Sequence, residues 1–190
     1  AQLFTENRFS GIDRINDANQ VTLAVTSRWL DSETGHERFR LAIGQRFFFN
    51  DQRVQLNTNT ASADSASDVV LWGGGEINRR LRMDGYLQYD ERLGKIQRMA
   101  GTLNYTQRPG AVINLGYHFA DQNMRQFDIA GQWPLTRSWY GVGRYLWSQR
   151  DREALDTIVG LEYNAGCWGL RLVHQRYKTS LEEYSKATFV

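Results

Sequence analysis

The chain has 190 residues, 41% of them hydrophobic and 23% charged, with a formal net charge of +2 and a mean hydropathy of −0.56. That balance is too weakly basic to imply nucleic acid, and no run of 18 apolar residues exists, so no transmembrane helix is expected. A barrel is not excluded, since each strand needs only about 9–11 residues, half of them apolar.

Residues 1–18 are polar and irregular, and are expected to form a loop segment on the extracellular side. From there a two-residue rhythm takes over, predicting strands at 19–30, 36–49, 67–77, 80–90, 95–106, 111–120, 124–133, 137–148, 154–164, 167–177 and 186–190. Val21, Leu23, Val25 and Trp29 alternate with Thr22, Thr26 and Arg28; Phe39, Leu41, Ile43 and Phe47 alternate with Arg38, Arg40 and Arg46. The cleanest ribbon is 80–90. Leu81, Met83, Gly85, Leu87 and Tyr89 share one face, while Arg80, Arg82, Asp84, Tyr86, Gln88 and Asp90 share the other. Side chains alternate across a strand, so each such segment carries one apolar and one charged face. Frequent aromatics (13%) and only 2 Pro suit paired strands, because Pro removes a ladder donor.

This pattern predicts an all-β, antiparallel transmembrane β-barrel, with lipid outside and water inside, built from the strands of residues 19–190. About ten whole strands and a half-strand at the end do not make an even-numbered closed barrel, and an open edge in lipid is costly. The expectation is therefore an incomplete, C-terminal portion of a larger barrel. The start AQLFTENRF carries no signal peptide, so export implies a processed start or a fragment. Strand reversal sorts the turns into two alternating sets. The set holding Asn50–Ala66 is the longer on average and is expected outside; the other, ending at Ala165–Gly166, is expected in the periplasm. Trp29, Trp133, Trp139, Trp168 and Tyr105 fall near the periplasmic turns, and Tyr89 and Trp147 near the outer loops, as two interface belts would require. A soluble β-sandwich with an aromatic core shows the same period and is the competing fold.

The polar face is rich in arginine, and Arg80, Arg82, Arg98, Arg144 and Arg171 are expected in the lumen. Asp84, Asp128, Asp156 and Glu162 balance part of that charge. A mixed-charge, water-filled lumen is the plain interpretation; tolerance of phosphate-bearing cargo is the sharper one. His36, His118 and His174 sit on distant segments without ligand spacing, so they are expected at the surface or in the lumen. No nucleophile elbow, phosphate loop or paired-cysteine zinc motif occurs, so neither an enzyme nor a cofactor is expected. Gly73–Gly75 has no following helix and is expected to serve curvature or close packing. Cys167 is the single cysteine, so it has no partner within the chain.

The strings FSGIDRINDANQVTLAVTSR, ERFRLAIGQRFFF, DGYLQYDERL, QWPLTRSW and GLEYNAGCWGLRLVHQRY resemble, in order, the C-terminal barrel half of the LPS-assembly protein family LptD, over almost all of residues 4–177. The motif around Cys167 is the most diagnostic. The resemblance implies a non-enzymatic outer-membrane translocon that inserts lipopolysaccharide into the outer leaflet. It implies a plug lipoprotein, LptE, in the lumen, a periplasmic bridge protein reached through an N-terminal domain, and the barrel-assembly machinery during folding. It also implies a lateral opening between first and last barrel strands. The family often carries two adjacent cysteines at this turn, each bonded to the N-terminal region. Here Gly166 takes the first place and Cys167 remains, so a disulfide from Cys167 to the N-terminal region is what the resemblance implies. In the chain-entropy picture so long a link would stabilise by ~4–5 kcal/mol. A buried, unpaired thiol is the alternative. A passive porin is the rival function; a soluble binding module and an outer-membrane hydrolase stand further off.

Overall fold

The computed structural model describes residues 19–49, 66–121, 123–178 and, as backbone, the last strand at 184–189. The expected loop over 1–18 and most of the long loop from Asn50 lie outside the described residues. Eleven strands follow one another: β1 (Gln20–Leu30), β2 (Glu37–Phe48), β3 (Val69–Asn78), β4 (Leu81–Asp90), β5 (Lys95–Arg108), β6 (Ala111–Ala120), β7 (Met124–Pro134), β8 (Trp139–Ser148), β9 (Glu153–Asn164), β10 (Gly169–Lys178) and β11 (Tyr184–Phe189). Each pairs antiparallel with its sequence neighbours in one sheet of order β1 to β11, with β1 and β11 at its edges. The sheet is a continuous antiparallel meander, open between those edges. Among the described residues there is no helix.

Cross-strand register carries one face through the whole sheet. The apolar row Leu41–Gly73–Gly85–Gly101–Tyr117–Phe127–Trp147 consists of directly opposed residues on seven successive strands, β2 to β8. A row one step nearer the short turns holds Phe39, Gly75, Met83, Leu103, Leu115, Ile129 and Tyr145. Bulges between Trp29 and Leu30, Glu76 and Asn78, Gln88 and Tyr89, Thr106 and Arg108, and Leu146 and Trp147 fall at strand ends, where they leave the mid-strand faces intact.

The short turns sit at one end of the sheet. Arg79–Arg80 and Pro109–Gly110 are two-residue reversals. At the second, Pro109 presets its own φ and Gly110 takes φ 82°, which a Cβ would oppose. At residues 31–36, Asp31 Oδ1 accepts from the amides of Glu33 and Thr34, an Asx-type closure.

The sheet has no hydrophobic core in the usual sense. Among the described residues, Ala42 and Ala111 are the only buried hydrophobics, while Leu23 (60% exposed), Val25 (70%), Val159 (64%) and Leu172 (50%) are uncovered. A β-sandwich buries such residues against a second sheet; among the described residues there is one sheet and no second layer, and that alternative falls.

Candidate functional site

The candidate site is the pair of faces. On the apolar side, Trp29, Tyr89, Tyr105, Trp133, Trp139 and Trp147 all project in register with the aliphatic rows. Trp168 immediately precedes β10, and its ring lies 5.2 Å from that of Tyr163, which itself lies 5.0 Å from Trp139. Trp29 contacts Phe39 at 5.4 Å. These groups gather at the short-turn end, whereas Tyr89 and Trp147 lie toward the opposite end, with Tyr145 stacked on Trp147 at 6.2 Å. Ring pairs of this spacing add modestly to the apolar area they cover. Ten residues, the length of β4, extend ~33 Å, and a strand tilted by ~45° then rises ~23 Å, close to the height of a bilayer's apolar band.

The polar face is organised by carboxylates around arginines. Arg144 donates to both oxygens of Asp128, with Nη2 at 2.7 Å, and reaches Asp156 at 3.4 Å. Asp156 also accepts from Gln175 at 3.0 Å, so strands β7 to β10 are tied by one lattice. Arg171 pairs with Glu162 opposite it, its Nε at 2.8 Å. Arg82 pairs with Asp84 at 3.1 Å along its own strand. Arg98 lies on the same face opposite Gln88 and forms no ion pair with a described residue. Bidentate guanidinium–carboxylate pairs add geometric definition beyond their modest energy at partly solvated sites.

Arg80 departs from its expected place. Register ends at Asn78 opposite Leu81, so Arg79 and Arg80 form the reversal, and the Arg80 amide donates to Asn78 Oδ1 at 2.9 Å. The alternation of 80–90 therefore begins at Leu81, and Arg80 belongs to the turn rather than to the polar face. His174, expected at the surface or in the lumen, is exposed and in register with Leu170 and Leu172, on the apolar side. Sequence reasoning passed over Trp72, which sits on the polar face between Ala42 and Tyr86 with the Arg40 guanidinium 5.7 Å from its ring. Its position in the period of β3 was the available signal. Among the described residues no cluster of His, Cys, Asp and Glu could hold a metal ion.

Cys167 is exposed and free, in the turn between β9 and β10, at the same end as Arg79–Arg80 and Pro109–Gly110. Gly166 beside it has φ 87°, with its amide donating to Asn164 Oδ1 at 2.8 Å.

Comparison with known proteins gives this two-faced sheet its relatives. The family model for LptD, "LPS transport system D", matches residues 1–139. The chain belongs to the LptD family. Proteins named LPS-assembly protein LptD match throughout. The one from Thiobacillus denitrificans is 44% identical over 189 residues, covering all of this chain and 26% of the relative. The one from Chromobacterium violaceum is 43% identical over 199 residues, covering all of this chain and 25% of the relative. That from Nitrosomonas eutropha is 40% identical, covering 26% of the relative. The chain thus spans about a quarter of the length of these LptD proteins.

Proposed function

We propose that this chain is a wall of an outer-membrane barrel through which lipopolysaccharide is inserted into the outer leaflet, with no bond chemistry of its own. The observation that carries the reading is the uncovered apolar face: rows of aliphatic and aromatic residues, interrupted by glycines at β3 to β5, cross the sheet with no second layer over them among the described residues. In water such a face would aggregate, whereas in a bilayer it is solvated by acyl chains. Membership in the LptD family supplies the cargo class.

On this reading the charged face lines the lumen and meets a plug lipoprotein, LptE. The periplasmic bridge protein is reached through a separate N-terminal domain, and the barrel-assembly machinery folds the whole. Cys167 would lie in the periplasm, an oxidising compartment, and bond to the N-terminal region. Its exposure and its turn, shared with the shortest reversals, support that role.

The test is depletion of the full-length parent followed by measurement of surface lipopolysaccharide. Loss of surface material, restored by the wild-type gene, is expected; unchanged surface lipopolysaccharide together with lost small-solute uptake would favour a porin. Non-reducing gels of the parent with and without Cys167→Ser test the disulfide. A mobility change on reduction that the variant lacks is expected, and identical patterns would leave Cys167 a free thiol.

A further inference from the structure

Two features of the apolar face meet at one place. The first is a depression of about 840 Å³ over β2 to β7, with an almost wholly apolar lining. Its floor is Gly73, Gly85 and Gly101, directly opposed on adjacent strands. Two strand spacings make that floor ~10 Å across, enough for an extended acyl segment. The fold's own packing does not ask for two of these glycines: a Cβ at Gly101 would meet nothing within 4 Å, and one at Gly85 only the Ala100 carbonyl oxygen at 3.8 Å. The space above them opens away from the protein.

The second feature is Arg125. It stands on the apolar face opposite Phe119, one same-face step from Phe127 in the depression's rim, toward the end of the sheet that bears Asp121 and Asn123. Its guanidinium carbon lies 5.3 Å from the Phe119 ring centroid. It forms no ion pair with a described residue, in contrast to Arg82, Arg144 and Arg171. A cation on the lipid side is cheap only near the interface, which is where this one sits. Stacking on a ring leaves the edge of the guanidinium fork free, and that edge matches a phosphate.

We infer that Arg125 and the glycine-floored depression form a binding site for a phosphate-bearing lipid of the leaflet on the long-loop side, its phosphate on the guanidinium and one acyl chain over Gly101 and Gly85. The inference rests on the reading that the apolar face meets lipid. Charge complementarity names the headgroup, and the contiguous apolar groove names the tail.

The experiment is native mass spectrometry of the full-length parent in detergent, titrated with diphosphorylated lipid A or with the same lipid stripped of phosphate. Arg125→Gln should weaken the phosphorylated lipid about tenfold and the stripped lipid less than twofold, while Arg125→Lys should recover part of the loss. Gly101→Leu should weaken both lipids. Unchanged binding in Arg125→Gln, or equal weakening of both lipids, would overturn the headgroup assignment, and an inert Gly101→Leu would overturn the tail. Displacement of the lipid by millimolar inorganic phosphate would make this a plain anion site instead. The mobility shift between unheated and boiled samples verifies that each variant has folded. Retained Arg125-dependent binding in a parent that fails the surface lipopolysaccharide test would leave the lipid site standing without the transport role. A parent that passes that test but binds no lipid through Arg125 would lose the lipid site alone.

Discussion

The wall made by β2 to β5 and the wall made by β7 to β10 solve the same problem differently. The first is light in side chains. Its apolar face is hollowed by Gly73, Gly85 and Gly101; its ion pairs Arg40–Glu37 and Arg82–Asp84 each stay within one strand, and Arg98 has none with a described residue. The second is plated on its apolar face by Trp139, Tyr163 and Trp168, and laced on its polar face by Asp128–Arg144–Asp156–Gln175 and Arg171–Glu162. Backbone ladders run through both, with nine or ten pairs at every junction except β2–β3, which has six. The ladder therefore builds the sheet, while side chains decide which part of it is braced across strands and which is left open to a ligand.

The sharpest way to break the comparison is to reverse a face within the light wall. Leu87→Arg puts a charge on the apolar side and should cost roughly 2–4 kcal/mol in urea unfolding from lipid, whereas Gln88→Arg, one residue on, should be nearly neutral. Equal costs would mean that the two faces are not solvated differently. Next come the glycines. Gly75→Ala places a Cβ 2.2 Å from the Arg38 carbonyl oxygen and should cost about 1–3 kcal/mol, while Gly101→Ala, with open space around its Cβ, should change stability by less than about 0.5 kcal/mol. In the braced wall, Arg144→Met strips Asp128 of its guanidinium and leaves Asp156 only Gln175, and should cost about 1–2 kcal/mol, against almost nothing for Arg98→Met. If the two arginine variants unfold alike, the lattice is decoration.

The smallest effect lies outside both walls, in the turn at residues 31–36. The Arg38 guanidinium, first, and then the amide and hydroxyl of Thr34 and the amide of Glu33 hold the Asp31 carboxyl down at about 2, against an ordinary 3.8. Because the folded value is lowered, the contribution is complete above pH 4 and disappears as pH falls from about 4 to 2. Unfolding midpoints followed from pH 5 to pH 2 should therefore drop less in Arg38→Gln than in the wild type. An identical pH profile would remove Arg38 as the main cause.

Much of this was legible in the chain itself. The alternation of Leu81–Asp90 gave both faces of β4 and, by extension, the common polar face of Arg82, Arg98, Arg144 and Arg171, because alternation is fixed by the covalent geometry of a single strand. It misplaced Arg80, since a period does not say where a strand stops and a two-residue reversal begins. It also passed over Trp72 and Arg125, whose meaning depends on what stands on the neighbouring strand.

The sequence by itself determined the strand order, the two-faced character and the family, all of which rest on local periodicity or on strings of residues. Only the tertiary structure decided which arginines find a carboxylate, which glycines are pressed by a neighbouring backbone and which face open space. Those are properties of register between strands, and register is set by pairing across the sheet, bulges included, rather than within any one segment.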